Sequence, residues 1–275
     1  MSDESELRPV TVLLPPVEYI RAIWDRRLFA STAPRYELTA QNMDRVLGNL
    51  WLILNPLLQV GVYYIFFGVL IGTRGGVENF TSFLTIGVFV FSFSNRSIMS
   101  SANSITQNLG LIRSLRFPRA ILPISINVAS TIAYGPILIV MLLVVLVDAG
   151  LPPAAIALLP IIISLQVVFN LGAGFIVGRL NMMVPDTENI LNFLFRLVFY
   201  MSGILYSVEV YVDQEMVREL FALNPFYAYI ELNRLALIGT SPGPWVWFSG
   251  IAWAAVLTTV GFEFFRRGEL SYGRG

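Results

Sequence analysis

The chain has 275 residues, of which 56% are hydrophobic and only 13% charged, where a soluble domain carries about 25% charge. Its net charge is zero, and it has no Cys, His or Lys, so all 18 basic residues are Arg. These absences exclude a thiol or imidazole catalyst, a disulfide, a zinc site of the usual ligands, a Schiff-base lysine and the phosphate-binding Lys of a Walker loop.

The first 16 residues hold Asp3, Glu4 and Glu6 and no apolar run, unlike a signal peptide. Residues 17–29 set Ile20, Ile23, Trp24 and Leu28 on one helical face, with Arg21, Asp25 and Arg27 elsewhere. That pattern predicts an amphipathic helix in the membrane interface, within a cytoplasmic segment 1–49. Six apolar stretches follow, at 50–71, 80–101, 121–147, 154–178, 190–206 and 245–265, each near the ~20 residues a spanning helix needs. The expected class is an all-α integral membrane protein of six spans, with both termini on one side.

Arginine placement orients it. Thirteen arginines fall in residues 1–49, the loop between the second and third stretches, the end of the fourth, and the tail 266–275. Three, Arg74, Arg218 and Arg234, fall in the opposite loops. Both termini are therefore predicted to be cytoplasmic. On that side, residues 108–117 form a short amphipathic lever with Leu111, Ile112 and Leu115 on one side and Arg113 and Arg116 beside them, ended by Phe117-Pro118. On the other, residues 207–244 are too polar to span. Helical periodicity over 212–223 and 226–238, broken at Asn224-Pro225, predicts two amphipathic helices in a hairpin dipping into the outer face, with a plain external cap as the alternative.

The only carboxylate inside the six stretches is Glu263, at the cytoplasmic end of the last. Ion coupling through midplane carboxylates and magnesium-dependent prenyl transfer therefore lack their residues. Two in-span cations remain. Arg96 shares a helix face with Phe89, Phe93, Ser100, Asn103 and Gln107, and Arg196 shares one with Asn192, Phe199, Gly203 and Tyr206. Aromatic faces stack on sugars, polar groups take hydroxyls, and Arg meets phosphate bidentately, so the stripes suit a conduit for an anionic, sugar-bearing substrate. Snorkelling of each Arg to the cytoplasmic surface is the alternative. Gly68-x-x-x-Gly72 and Gly174-x-x-x-Gly178 fit close helix packing in lipid.

Several motifs resemble one family. They are Arg26-Arg27 and Arg35-Tyr36, Leu47-Gly48-Asn49-Leu50-Trp51 running into Asn55-Pro56-Leu57, the segment Asn108 to Pro123, and Asn224-Pro225-Phe226 with Arg234 two turns on. The chain so resembles permease subunits of type-two ATP-binding-cassette exporters of the polysaccharide, O-antigen and teichoic-acid branch. It departs from them in carrying Pro185-Asp186-Thr187-Glu188 where an Arg-Asp pair is usual. The resemblance implies a homodimer with two copies of a separate ATPase that binds the ATP and Mg, and no cofactor in this chain. It makes Asn108, Leu111, Ile112, Arg113, Leu115 and Phe117 the coupling helix, Asn224, Pro225, Phe226 and Arg234 the outer gate, and a polyprenyl-pyrophosphate-linked glycan the cargo. Arg-only basicity suits a GC-rich actinobacterium, where the family exports cell-wall galactan across the cytoplasmic membrane. A drug or lipid exporter of the superfamily, a passive channel or scaffold, and a membrane enzyme are the rival readings. No basic tail points to nucleic acid.

Overall fold

The computed structural model describes residues 15–26, 48–70, 72, 77–114, 117–212 and 214–272, and every regular element among them is helical. In chain order these are α1 (Pro16–Asp25), α2 (Trp51–Tyr63, continued as wider π turns over Tyr64–Leu70), α3 (Phe80–Ala102) and α4 (Leu109–Ser114). Next come α5 (Ile121–Asp148), α6 (Leu159–Met183, preceded by a tight turn over Ala154–Leu158) and α7 (Thr187–Met201). The remainder are α8 (Val208–Tyr211), α9 (Glu215–Ala222), α10 (Pro225–Ile238) and α11 (Pro244–Arg267). Among the described residues, five stretches are long and apolar enough to cross a membrane: Ile53–Leu70, Phe80–Ala102, Ile121–Asp148, Ala154–Met183 and Pro244–Arg267.

α3 sits at the centre, against α2, α5, α6, α7 and α10. Its sequence explains this place, since Ser82, Thr85, Gly87, Ser94, Ser97 and Ser101 are small and let neighbouring backbones approach. Buried amides then tie the helices together. Gln166 of α6 donates to Val90 O (3.0 Å) and Ser94 Oγ (2.8 Å), and Asn127 of α5 donates to Ser97 Oγ (3.1 Å). Gly174 and Gly178 lie against Ser101, so this pair serves a contact within the chain. The tightest crossing is α6 with α11, where a Cβ on Gly172 or Gly261 would run into the other helix's backbone.

The long helices α2, α3, α5 and α6 alternate in direction, which defines two ends. At one end, Tyr19, Ile105, Ile112, Ala120, Leu122, Phe175, Phe265 and Tyr272 form a small hydrophobic cluster separate from the main core. At the far end, Asp148 closes α5 and accepts hydrogen bonds from the Ser82 N–H and Oγ, both 2.8 Å. That carboxylate satisfies a free donor in the first turn of α3 and sits at the positive end of its dipole. Asp148→Ala should cost about 1 kcal/mol. The loss reads out as a lower unfolding temperature of the detergent-solubilised protein, with Asp148→Asn intermediate.

The fifth apolar stretch departs from a plain span. α7 has 15 residues, about 22 Å of rise, against a hydrocarbon core of about 30 Å. It stops at Met201, and the chain continues as irregular turns through Gly203, whose φ of +60° favours glycine. The hairpin differs too. α9 is amphipathic and largely exposed, whereas α10 is buried around nearly its whole circumference, including Arg234 and Glu231. Its start lies at mid-depth: the Trp253 indole N–H donates to Leu223 O (2.7 Å), and Phe226 packs against Phe91, Phe169 and Phe195. Arg234 therefore belongs to the bundle interior and not to a loop, and Glu231 is a buried carboxylate beside it. The expected Leu28 and Leu115, and the motif residues Arg27, Arg35, Tyr36 and Leu47, lie outside the described residues.

Candidate functional site

The main candidate is a polar cleft between α2, α3, α5 and α7. One part, of about 390 Å³, is bordered by Asn55 and Gln59 of α2, Asn95 and Arg96 of α3, Tyr134 of α5 and Asn192 of α7. A second part, of about 210 Å³, shares Gln59, Ser92, Asn95 and Asn192 with the first and adds Tyr63, Arg196, Phe199 and Tyr200. The shared residues make the two parts one continuous groove.

Helical spacing builds each wall. Asn55, Gln59 and Tyr63 fall at i, i+4 and i+8, so they rise along one face of α2. Asn192, Arg196 and Tyr200 do the same on α7, and Ser92 and Arg96 on α3. Arg96 lies about 9 Å of rise from the end of α3, and Arg196 about 14 Å from the start of α7. Both cations thus sit in the half of the bundle nearer α4. Among the described residues neither makes an ion pair. The Tyr134 hydroxyl is also buried there without a hydrogen-bond partner among the described residues. Its ring stacks on Phe93 at 4.4 Å, and Tyr63 stacks on Phe199 at 5.5 Å. A half-buried cation, Arg96, and an exposed one, Arg196, set among amides and tyrosines without acid partners among the described residues, form a surface suited to an anion and to hydroxyl-rich groups.

The structure thus brings Phe93, Arg96, Asn192, Arg196 and Phe199 together. It does not bring Phe89, which is 0% exposed inside the core and borders neither part of the groove. Ser100 is exposed near the end of α3 but does not border the groove. Tyr206 lies beyond α7, its hydroxyl on Tyr200 O (3.1 Å) and its ring against Tyr211. Sequence reasoning missed Asn55, Gln59, Ser92, Asn95, Tyr134 and Tyr200. The pair of amides four residues apart in an otherwise apolar α2 was a usable signal.

The gate residues occupy one structural unit. The Asn224 side chain accepts from the Phe226 N–H (3.0 Å), capping α10, and donates to Ser202 Oγ (3.0 Å) and Met201 O (3.2 Å). Pro225 holds the first helical position, where its missing N–H costs nothing. Arg234 is 0% exposed. It pairs with Glu231 (2.6 Å), donates to the carbonyls of Gly203 (3.0 Å), Phe83 (3.1 Å) and Ile204 (3.3 Å), and lies 3.3 Å over the Phe83 ring.

At the opposite end, α4 covers Leu109–Ser114, within the expected 108–117 of which 115 and 116 lie outside the described residues, and is preceded by a tight turn over Thr106–Asn108. Asn108 donates to Ser104 O (2.9 Å). Ile112 is only 5% exposed and, with half-buried Leu111 and Phe117, packs into the small hydrophobic cluster. Its side chain therefore supports the helix from within and is not free to meet a partner. The outward face is Gln107, Gly110, Arg113 and Ser114.

The family model for ABC-2 type transporters matches residues 36–238, most of the chain and both sites. The chain belongs to the ABC-2 type transporter family. Within it, the chain is similar to the O-antigen export system permease protein RfbA of Myxococcus xanthus, at 27% identity over 209 residues, 76% of this chain and 80% of that one. It is also similar to permeases of the same name from Klebsiella pneumoniae. One is 29% identical over 84% of this chain and 88% of its own, another 31% over 63% and 66%. The likeness places this ABC-2 chain among permease subunits of polysaccharide exporters, as its motifs resembled. Membership implies a membrane setting and a separate ATPase partner.

Proposed function

We propose that the chain is the permease of an ATP-driven exporter that moves a polyprenyl-pyrophosphate-linked polysaccharide from the cytoplasm to the outer face of the inner membrane. In an Arg-only, GC-rich background the glycan is a galactan. The observation that carries this reading is the cleft, with two cations that lack acid partners among the described residues in the half nearer α4, amides about their level and tyrosines beyond them. With that end cytoplasmic, as the arginine distribution directs, the cations meet the pyrophosphate first and the tyrosines receive the sugars. A drug or lipid exporter would have less use for paired cations among amides.

Exposed apolar residues of α2 (Leu58, Val62, Ile65) and α7 (Ile190, Phe193, Leu197) flank the groove. A second copy of the chain seated on them would close it into a channel, and two ATPase subunits would dock at the two α4 helices. α1, with Val17, Ile20 and Trp24 exposed, would lie in the cytoplasmic interface. Among the described residues no carboxylate borders the cleft, and on this reading the driving force comes from the ATPase partner.

The outward face of α4 tests this. Gly110 has open space around it, so a side chain there fits the fold. Arg113→Glu combined with Gly110→Glu should abolish co-purification of an ATPase with the tagged chain while leaving its membrane level unchanged. Capture of an equal amount of ATPase by the variant would contradict α4 as the docking element.

A further inference from the structure

The end that carries α4 holds a tie among three distant parts of the chain. The Glu269 carboxylate accepts from the Tyr19 hydroxyl (2.6 Å) and from the Arg119 N–H (3.0 Å), and the Arg119 guanidinium bonds the Glu269 carbonyl. Tyr19 in turn accepts from the Ala120 N–H (3.2 Å). These bonds join α1, the turn leading from α4 into α5, and the segment after α11, over separations of up to 250 residues.

Local structure explains why they meet. α11 ends at Gly268, and the chain folds back so that the Tyr272 hydroxyl donates to Phe265 O (2.9 Å) and its ring packs on Phe265. Arg179 of α6 stacks 4.2 Å over Phe264 and bonds its carbonyl. Tyr19 and Tyr272 are almost wholly buried, in the same cluster that receives Ile112 of α4. Burial pushes both the Tyr19 hydroxyl and the Glu269 carboxyl up, which keeps the tyrosine a donor.

We propose that Tyr19, Arg119 and Glu269 form a clasp that makes α1, the exit from α4 and the end of α11 one rigid block. The inference rests on α4 being the element the ATPase pushes. A short helix at the surface would otherwise flex and dissipate the push. With the clasp closed, the displacement reaches α11, and through its close crossing with α6 at Gly172 and Gly261 it reaches the bundle. Tyr19, Arg119 and Glu269 are positioning residues, since none borders the cleft.

The test compares ATP hydrolysis by the purified permease–ATPase complex with surface polysaccharide on cells carrying only the variant chain. Tyr19→Phe and Glu269→Gln should leave complex assembly and ATPase rate at the wild-type level while surface polysaccharide falls several-fold. Because the chain has no native Cys, a Tyr19→Cys/Glu269→Cys pair can be bridged with a short bis-methanethiosulfonate, which forms a disulfide to each thiol with loss of sulfinate and is released by reduction. The bridged form should keep export, since the clasp stays shut through the cycle. Unchanged export in Tyr19→Phe and Glu269→Gln, or a bridged form that exports only after reduction, overturns the proposal. Should a single variant fail to fold, the bridged pair still decides. Absence of any ATPase from the wild-type preparation would instead sink the reading of α4 beneath it.

Discussion

Arg96→Gln should abolish most export while the protein still folds, reaches the membrane and captures its ATPase. The guanidinium borders the groove without an acid partner among the described residues, so its removal leaves no carboxylate stranded in the bundle. What is lost is a charge-assisted bidentate contact to a phosphate, worth roughly 1.5–3 kcal/mol, or about ten- to a hundred-fold in the step that uses it. Arg96→Lys keeps the charge but not the planar fork, and should recover part of the loss. Arg196→Gln should be milder, because Arg196 is more exposed and its wall also offers Asn192 and Tyr200. Surface polysaccharide on cells carrying each variant, normalised to permease level, checks the order. Equal export by wild type and Arg96→Gln would remove the cleft from the transport path.

Arg234→Ala should have the larger effect on the fold itself. The side chain is fully buried, and its removal leaves Glu231 as an uncompensated carboxylate and takes a donor from three carbonyls. Breaking a buried pair this way costs about 3–5 kcal/mol, a large part of any domain's stability. Two of those carbonyls, on Gly203 and Ile204, belong to the irregular chain after α7, and non-helical backbone at membrane depth persists only where protein satisfies it. The double variant Arg234→Leu/Glu231→Leu relieves the stranded charge but not the carbonyls, so it should recover only part of the loss. Thermal unfolding of the three proteins in detergent measures this. An Arg234→Ala protein as stable as wild type would show that the turn after α7 needs no such anchor.

The apolar runs in the sequence mark the long helices closely, because lipid exposure demands uninterrupted apolarity. α3, α5 and α11 begin and end within two residues of the stretches at 80–101, 121–147 and 245–265. The break in the fifth stretch was not legible, since Met201, Gly203 and Ile204 are as apolar as any span and hydropathy does not register a backbone turn. Arg234 was assigned to a loop for a related reason. α10 is packed by protein on nearly every side, so it carries polar residues that lipid would not tolerate, and its composition resembles a loop. In the cleft, spacing along α3 and α7 found Arg96, Phe93, Asn192 and Phe199. Phe89 shares that face yet packs in the core, because periodicity gives a face but not which neighbour that face meets. Tyr134 and Gln59 come from other helices, and only the packing of α2 and α5 on α3 brings them in. Ile112 shows the same limit at the opposite end: an apolar side of a short helix reads alike whether it meets its own chain or a partner.

The most direct measurement uses inverted membrane vesicles whose lipid-linked polysaccharide has been labelled biosynthetically, with the cytoplasmic face turned outward. Protection of the labelled glycan from an added glycosidase is followed with and without ATP. Protection should rise with ATP in vesicles carrying the wild-type chain, and should stay at the no-ATP level in those carrying Arg96→Gln. Protection that is independent of ATP, or that rises equally with both proteins, would contradict ATP-driven export through the Arg96 cleft.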